Sequence, residues 1–135
     1  MQGIQKDEDT NVLGEELRPC SMDPITGYVR DGKCSCFYQD PGQHTVCVIM
    51  TEEFLELSKE LGNDLSTPIP EFGFQGLKEG DQWCLCADRW IQALELGKAP
   101  KIVLSSTHRS VLKKVSLEVL EKYSADTDKK QDSLN

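Results

Sequence analysis

Residues 44–50 constrain the fold most, because they are nearly all apolar after the first two and are rich in β-branched side chains. Such a run is typical of a central β-strand that is covered on both faces. Thr51 follows it as a helix N-cap residue, with Glu52 and Glu53 in the first turn, where the helix dipole favours negative charge. The sequence therefore predicts a buried strand that passes directly into a helix over 52–61.

A β-hairpin is predicted earlier in the chain, at residues 28–36. An Asp-Gly dipeptide lies at its centre, and this dipeptide favours a two-residue hairpin turn because both turn positions need a positive φ. The alternation of side chains along a strand then places Cys34 and Cys36 on one face, as expected of residues that pack into a core.

The rest of the chain adds a long loop, two helices and one strand. Residues 63–82 show no hydrophobic period and carry two prolines, three glycines and two phenylalanines. Loops of this length in a compact domain are often functional. A shared apolar face predicts a helix over 87–97, an apolar run predicts a strand over 101–105, and a capping serine precedes a last helix over 116–123.

The resulting order β-β-β-α-loop-α-β-α indicates an α+β fold, in which a small mixed β-sheet with a β-hairpin packs against about three helices. The length of 135 residues fits a single domain. Residues 1–10 and 125–135 hold few apolar groups, so we expect disordered tails on either side of a domain at 11–124.

The charge balance excludes some classes of partner. A formal net charge of −8 repels phosphate backbones, and Lys113-Lys114 is too small a cluster for a basic stripe, so we expect no nucleic-acid partner. No apolar stretch is long enough to span a bilayer, and the polar N-terminus lacks the pattern of a signal peptide. We therefore expect no membrane partner and an intracellular, cytoplasmic location. In that reducing compartment the six cysteines are expected to be thiols, metal ligands or core residues rather than disulfides.

Two Cys-x-Cys pairs, with a nearby histidine, suggest a metal site. Zinc binds cysteine sulfur and histidine nitrogen tetrahedrally, and the set Cys34, Cys84, Cys86 and His44 offers suitable ligands. The pairs are tighter than the spacing of about two to four residues that is typical of structural zinc sites. Zinc therefore stays one of three interpretations of the cysteines, beside thiol chemistry and core packing.

Thiol chemistry is the second interpretation. A helix that begins near Cys86 would stabilise the thiolates of Cys84 and Cys86 at its N-terminus, and Arg89 would add positive charge one turn later. Cys84, Cys86 and His44 are thus the candidate catalytic residues. Core packing is the third interpretation, since free cysteine is among the most buried residue types and Cys47 lies inside the apolar strand.

Further binding candidates lie at the ends of predicted elements. His44 opens the central strand close to Asp40, where a general base could stand, although such a histidine also commonly bonds a backbone carbonyl. His108 follows the strand over 101–105. Asp64 lies in a loop rich in hydrogen-bonding groups that could shape a pocket with Trp83, or could equally be a capped helix end.

Several motifs occur in an order that resembles a known family. They are Asn11-Val12-Leu13-Gly14, Thr26-Gly27-Tyr28-Val29-Arg30-Asp31-Gly32, His44-Thr45-Val46-Cys47, Gly62-Asn63-Asp64-Leu65-Ser66-Thr67-Pro68 and Gly80-Asp81-Gln82-Trp83-Cys84-Leu85-Cys86-Ala87-Asp88-Arg89-Trp90. Together they resemble the domain of unknown function 2237 family, found in bacteria and in some plants and algae. The resemblance covers about residues 11–124 and implies a single domain, and it implies no reaction, cofactor or partner.

Two functional hypotheses from different classes follow. The first is a small intracellular domain that binds a ligand or a metal, and that is in one version thiol-dependent. Its site lies where Cys34, Cys84 and Cys86 meet His44 and the loop over 63–82. The second is a non-catalytic protein-interaction module whose cysteines are structural core residues.

Overall fold

The computed structural model describes residues 5–126. Its regular elements are the strands β1 (His44–Ile49) and β2 (Gln82–Cys86) and the helices α1 (Glu52–Glu60), α2 (Ala87–Glu95) and α3 (Leu117–Lys122). Three 3₁₀ turns lie at Pro70–Phe72, Leu104–Ser106 and Arg109–Lys113. The α+β class and the three helices are confirmed.

The helices begin where the sequence predicts. Thr51 caps α1, because its hydroxyl oxygen accepts a hydrogen bond from the backbone N–H of Phe54 at 3.0 Å. Ser116 caps α3 in the same way by accepting from the backbone N–H of Val119 at 3.3 Å. Each cap satisfies an N–H that has no partner inside the helix, and so fixes where the helix starts.

The sheet consists of β1 and β2, which pair antiparallel. Val48 lies opposite Trp83, and Cys47 lies opposite Cys84. Since side chains alternate across a strand, the pair has two different faces. Val48 and Trp83 belong to the main hydrophobic core with the helices, whereas Cys47 and Cys84 belong to a second, sulfur-rich cluster.

Strand β2 is the largest difference from the predicted order. The sequence predicts a loop that ends at residue 82 and a helix that begins near Cys86, with no strand between them. In the structure these residues form a strand whose central members are buried, and α2 starts at the next residue. The prediction was wrong because no glycine or proline separates the strand from the helix.

The predicted hairpin at 28–36 is also wrong. This segment forms a compact loop in which the backbone N–H of Gly32 donates to the carbonyl of Thr26 at 2.8 Å. A type I′ turn needs a positive φ at both central positions, but here the positive values fall on Arg30 and Gly32. The Asp31 side chain instead accepts a hydrogen bond from the backbone N–H of Lys33 at 3.1 Å, which bends the chain locally.

In place of the predicted strand over 101–105, the structure has only isolated β-bridges at Ile102. Ile102 pairs antiparallel with Val48 and parallel with Ser124. Beyond it the Asp126 carboxylate accepts hydrogen bonds from the backbone N–H groups of Leu104 and Ser105. Those groups are therefore not free to extend the ladder along β1, and the chain turns into a 3₁₀ turn.

The ends of the described chain pack against the domain. Residues 5–10 were predicted as part of a tail, but the backbone N–H of Asp7 donates to the carbonyl of Cys36 at 2.9 Å. Asp7 also forms an ion pair with Arg109 at 2.9 Å. The other residues predicted as tails, apart from 125 and 126, lie outside the described residues. No helix within 5–126 is both long and apolar enough to cross a bilayer.

Candidate functional site

A cleft of about 720 Å³ opens beside the strand pair. Two loops form its sides, one over residues 22–30 and one over 64–81, and His44, Trp83 and Cys84 contribute from the strands. The long loop that the sequence singled out therefore does line a cavity. Of the predicted site residues, His44, Asp64, Trp83 and Cys84 meet there.

His44 is held by a buried carboxylate. Its Nδ1 lies 2.9 Å from Oδ2 of Asp40, whose side chain is fully buried. The backbone N–H groups of Gly42 and His44 also donate to this carboxylate, at 2.9 and 2.8 Å. Burial alone would raise the pKa of Asp40, but these hydrogen bonds and the His44 ring outweigh it and hold the pKa below its usual value.

This pairing settles which ring nitrogen of His44 is available. Because the Asp40 carboxylate only accepts hydrogen bonds, Nδ1 of His44 carries the proton and donates. In the neutral ring Nε2 is then an acceptor. The His44 side chain is 40% exposed and lines the cleft, and no described residue pairs with Nε2. The arrangement can accept a hydrogen bond or a proton from a molecule in the cleft.

Gly42 allows the His44 ring to occupy this position. A Cβ atom at residue 42 would lie 2.6 Å from Cε1 of His44, which is closer than real Cβ contacts come. A side chain at residue 42 would therefore push the His44 ring aside, so glycine suits this position because of the close approach of backbone and ring, and not because of an unusual φ.

Aromatic side chains form the wall next to His44. The rings of Phe74 and Trp83 lie 5.7 Å apart between centroids, in a tilted arrangement. The guanidinium of Arg30 lies 5.1 Å from the Trp83 ring centroid, a cation–π distance. Arg30 also donates from Nη1 to the carbonyl of Gly27 at 2.7 Å, which fixes the guanidinium over the ring.

Asp64 organises the loop over 64–81. Its carboxylate accepts hydrogen bonds from the Thr67 hydroxyl at 2.6 Å and from the backbone N–H of Ser66 at 3.0 Å. The Thr67 hydroxyl is the main cause that lowers the pKa of Asp64 to about 2. Gly76 closes the same loop, since a Cβ there would collide with the Ser66 carbonyl oxygen. Asp64 thus lines the cleft chiefly by shaping its wall.

Four of the six cysteines are joined in disulfides, contrary to the expectation of free thiols. Cys20 bonds Cys47, and Cys34 bonds Cys84. All four sulfurs lie in the core, as the packing interpretation predicted. The sulfur atoms of Cys20, Cys34 and Cys47 lie within 4.8 Å of one another, so this buried triad could hold a metal ion if its sulfurs were free.

The predicted zinc set of Cys34, Cys84, Cys86 and His44 is not assembled as free ligands, because Cys34 and Cys84 are bonded to each other. Cys86 is a free cysteine at the N-cap of α2. Cys84 lies two residues earlier in β2 and not at the helix terminus, so the predicted pair of helix-stabilised thiolates does not form.

Two predicted binding residues lie elsewhere. His108 is fully buried, donates from Nε2 to the carbonyl of Glu8 at 2.7 Å and accepts at Nδ1 from the backbone N–H of Ser110 at 3.0 Å. Its burial lowers the pKa of the imidazole. Arg89 donates to the carbonyl of Leu61 at 3.3 Å. Both are engaged by the protein itself and do not line the cleft.

The sequence names Asp40 only as a neighbour of His44, and it does not point to Arg30 or Cys20 as site residues. The spacing of four residues between Asp40 and His44 was the available signal, and a buried carboxylate beside a histidine is a common way to orient the ring. Neither the place of Arg30 over Trp83 nor the partner of Cys20 has a sequence signal, because both depend on how the loop at 20–36 folds back.

The family model described as an uncharacterized protein conserved in bacteria, the domain of unknown function 2237, matches residues 10–124. The chain belongs to this family. The match to the domain of unknown function 2237 includes both loops of the cleft, both strands and all four bonded cysteines. No curated protein matches the chain.

Proposed function

We propose that this domain binds a small organic molecule in the cleft and that His44 is the polar group that recognises it. One observation carries the proposal. The Asp40 carboxylate fixes the His44 ring by Nδ1, while Nε2 has no partner among residues 5–126 and the ring lines a cleft of about 720 Å³. Ligand pockets commonly combine an apolar wall with a few fixed polar groups in this way.

The composition of the wall limits the chemistry of the ligand. Trp83 and Phe74 offer aromatic faces, and the Arg30 guanidinium lies above one of them. A ligand with an aromatic or flat aliphatic body suits these faces. One hydrogen-bond donor, such as a hydroxyl, amine or thiol, is needed to reach Nε2 of His44.

Metal binding has weaker support. The four bonded cysteines cannot act as thiolate ligands while they are paired, and the pairs leave only Cys36 and Cys86 free. A small-molecule ligand needs no change in these bonds, so we place it first.

The two tryptophans provide the test. Trp83 lies in the cleft wall, whereas the indole N–H of Trp90 is buried and donates to the carbonyl of Pro100. A library of aromatic fragments carrying one hydroxyl, amine or thiol is screened by NMR on ¹⁵N-labelled protein. We expect hits that shift the Trp83 indole signal and leave that of Trp90 unchanged.

Two variants sharpen this test. His44→Asn should weaken binding of the hits about tenfold or more, because the ring nitrogen is lost while an Asn side chain can still reach Asp40. Arg89→Ala, outside the cleft, is the matched control and should leave binding unchanged. Hits that bind His44→Asn as tightly as the native protein would contradict the proposal.

The exposed rim of the cleft favours a second candidate, a protein-interaction module. Phe72 is 82% exposed and Met22 is 63% exposed, and both line the cleft. Large apolar side chains at a rim are typical of a surface that meets a peptide. Peptides selected by display on the native protein should then lose binding to a Phe72→Ser/Met22→Gln variant. A selection that enriches no such peptides would reject this candidate.

A further inference from the structure

The two disulfides lie side by side on one face of the strand pair. Cys47 and Cys84 are directly opposite each other in the register of β1 and β2. Residues opposite each other have Cβ atoms only about 4.5–5.5 Å apart, yet these two are not bonded to each other. Each instead bonds a cysteine of the N-terminal segment, Cys20 or Cys34.

This arrangement places a third sulfur, that of Cys34, beside the Cys20–Cys47 bond. The Sγ atom of Cys34 lies within 4.8 Å of both Sγ atoms of the Cys20–Cys47 bond. A thiolate released at Cys34 would therefore be next to a disulfide that it can attack. Thiolate attack on a neighbouring disulfide sulfur is the step by which disulfides exchange.

Access to the four sulfurs is restricted. Cys34 and Cys47 are fully buried, Cys84 is nearly so, and Cys20 is 6% exposed. Cys84 lines the cleft, and it shares the cleft wall with His44. A small molecule that occupies the cleft is thus beside one end of the buried pair of bonds and beside a proton acceptor.

We propose that the cleft admits a small thiol, which opens the Cys34–Cys84 disulfide. The released Cys34 thiolate then attacks the neighbouring Cys20–Cys47 disulfide. The proposal rests on the proposed function, because it names a thiol as the ligand of the cleft. Each domain would then oxidise two molecules of a low-molecular-weight thiol to their disulfide while one of its own two disulfides is reduced.

The exchange begins at Cys84 in the cleft wall. His44 Nε2 accepts the proton of the thiol R–SH, and the thiolate bonds Sγ of Cys84 while the Cys84–Cys34 bond breaks and Cys34 leaves as thiolate. Cys34 then bonds Sγ of Cys47, and Cys20 leaves as thiolate and takes up the proton. The products are a mixed disulfide at Cys84, a Cys34–Cys47 disulfide and a thiol at Cys20. A second R–SH attacks the R sulfur of the mixed disulfide and releases R–S–S–R, so that Cys84 becomes a thiol.

The exposure of the four sulfurs indicates why Cys20 is the one that is released as a thiol. It is the most exposed of the four, so its thiol reaches solvent more easily than one at Cys34. Its backbone N–H donates to the carbonyl of Gly32, in the same N-terminal segment that carries Cys34. The exchange therefore runs from Cys84 in the cleft wall, through Cys34, to Cys20.

The test uses 2-mercaptoethanol as the thiol and the full chain with Cys36→Ser and Cys86→Ser, so that the four bonded cysteines are the only ones left. This variant, in its folded state, is treated with the thiol. The reaction is quenched with iodoacetamide, and the cysteine linkages are mapped by peptide mass spectrometry. We expect the 2-mercaptoethanol adduct on Cys84, the alkylated thiol on Cys20 and a new Cys34–Cys47 link. An alkylated thiol at Cys34 with Cys20–Cys47 unchanged, or a first adduct on Cys20, would overturn the proposal.

The rate of adduct formation tests the role of His44. His44→Asn should slow the reaction at least tenfold at pH 7, and the difference should shrink at pH 10, where the thiol ionises without help. A merely structural effect of the substitution would be the same at both pH values and would overturn this role. Aromatic fragments that shift the Trp83 signal while no adduct forms would reject the exchange and leave the proposed ligand-binding function standing.

Discussion

Asp40 holds the His44 ring from inside the fold, with Oδ2 of the buried carboxylate 2.9 Å from Nδ1 of the half-exposed imidazole. The carboxylate also accepts hydrogen bonds from two backbone N–H groups, so it fixes the turn over 40–44 and the ring together. One group thereby links the stability of the turn to the orientation of the candidate ligand-binding nitrogen.

Asp40→Asn should separate these two roles by pH. The native carboxylate has a pKa below its unfolded value, so its contribution is present above about pH 4 and is lost as pH falls through the folded pKa. Native stability should therefore fall on acidification more steeply than that of Asp40→Asn. Urea unfolding at pH 7 and pH 3 measures this. Equal losses in both proteins would show that Asp40 does not carry the effect.

At neutral pH the same variant should lose about 1–3 kcal/mol, the usual result when a buried acceptor of several hydrogen bonds is replaced. Asp126→Asn is a suitable control, because this carboxylate also accepts backbone hydrogen bonds but lies away from the cleft. Both variants should lose stability, and only Asp40→Asn should weaken binding of cleft fragments.

Gly42→Ala should displace the His44 ring. The added methyl would lie 2.6 Å from Cε1, so the ring must move, at a cost of about 1–3 kcal/mol for an overpacked site. Ring proton shifts in NMR and fragment affinity measure the effect. In a His44→Ala background the ring that clashes is absent, so adding Gly42→Ala there should cost much less stability than it does in the native protein. Gly42→Ala alone with an unmoved ring would contradict this account.

Loss of either disulfide should destabilise the domain strongly. For separations of 27 and 50 residues, loop-closure entropy corresponds to roughly 3.5 kcal/mol for Cys20–Cys47 and roughly 4 kcal/mol for Cys34–Cys84. Paired Ser substitutions followed by denaturant unfolding measure these costs. Cys86→Ser, at a free and half-buried position, is the control and should cost under about 1 kcal/mol. Equal effects at all three sites would argue against the pairing.

His108 should make the protein less stable in mild acid. Its pKa is lowered by burial, so the unfolded chain takes up a proton first as pH falls below about 6.5. Stability should decrease between pH 7 and pH 5, and ¹⁵N shifts should show the Nε2–H tautomer at pH 7. A His108→Gln variant should lose this part of the pH dependence. A ring that titrates near its ordinary value in the folded protein would contradict the prediction.

The helices could be predicted from sequence because their signals are local. Thr51 and Ser116 cap the helices that follow them, and the apolar run before Thr51 forms β1. β2 was missed because its five residues pass into α2 without a turn residue between them. The hairpin was predicted wrongly because the side chain of Asp31 bonds the backbone and a dipeptide rule does not include that competition.

Part of the cleft lining could be predicted, because its signals are also local in the sequence. The loop over 63–82, with its aromatic residues, could be singled out from composition, and Trp83 and His44 do line the cleft with it. The cysteine pairing could not be predicted, since its partners lie 27 and 50 residues apart and no local pattern joins them. The expected intracellular location was the reason to expect free thiols, and that location stays a prediction.

The two cross-links overlap along the chain, because one spans residues 20–47 and the other spans 34–84. Any single cut of the backbone between 20 and 84 therefore leaves two fragments that are still covalently joined. A protease that nicks an exposed loop of this region does not release a piece of the protein. Within residues 20–84 the chain thus tolerates one break without losing its continuity.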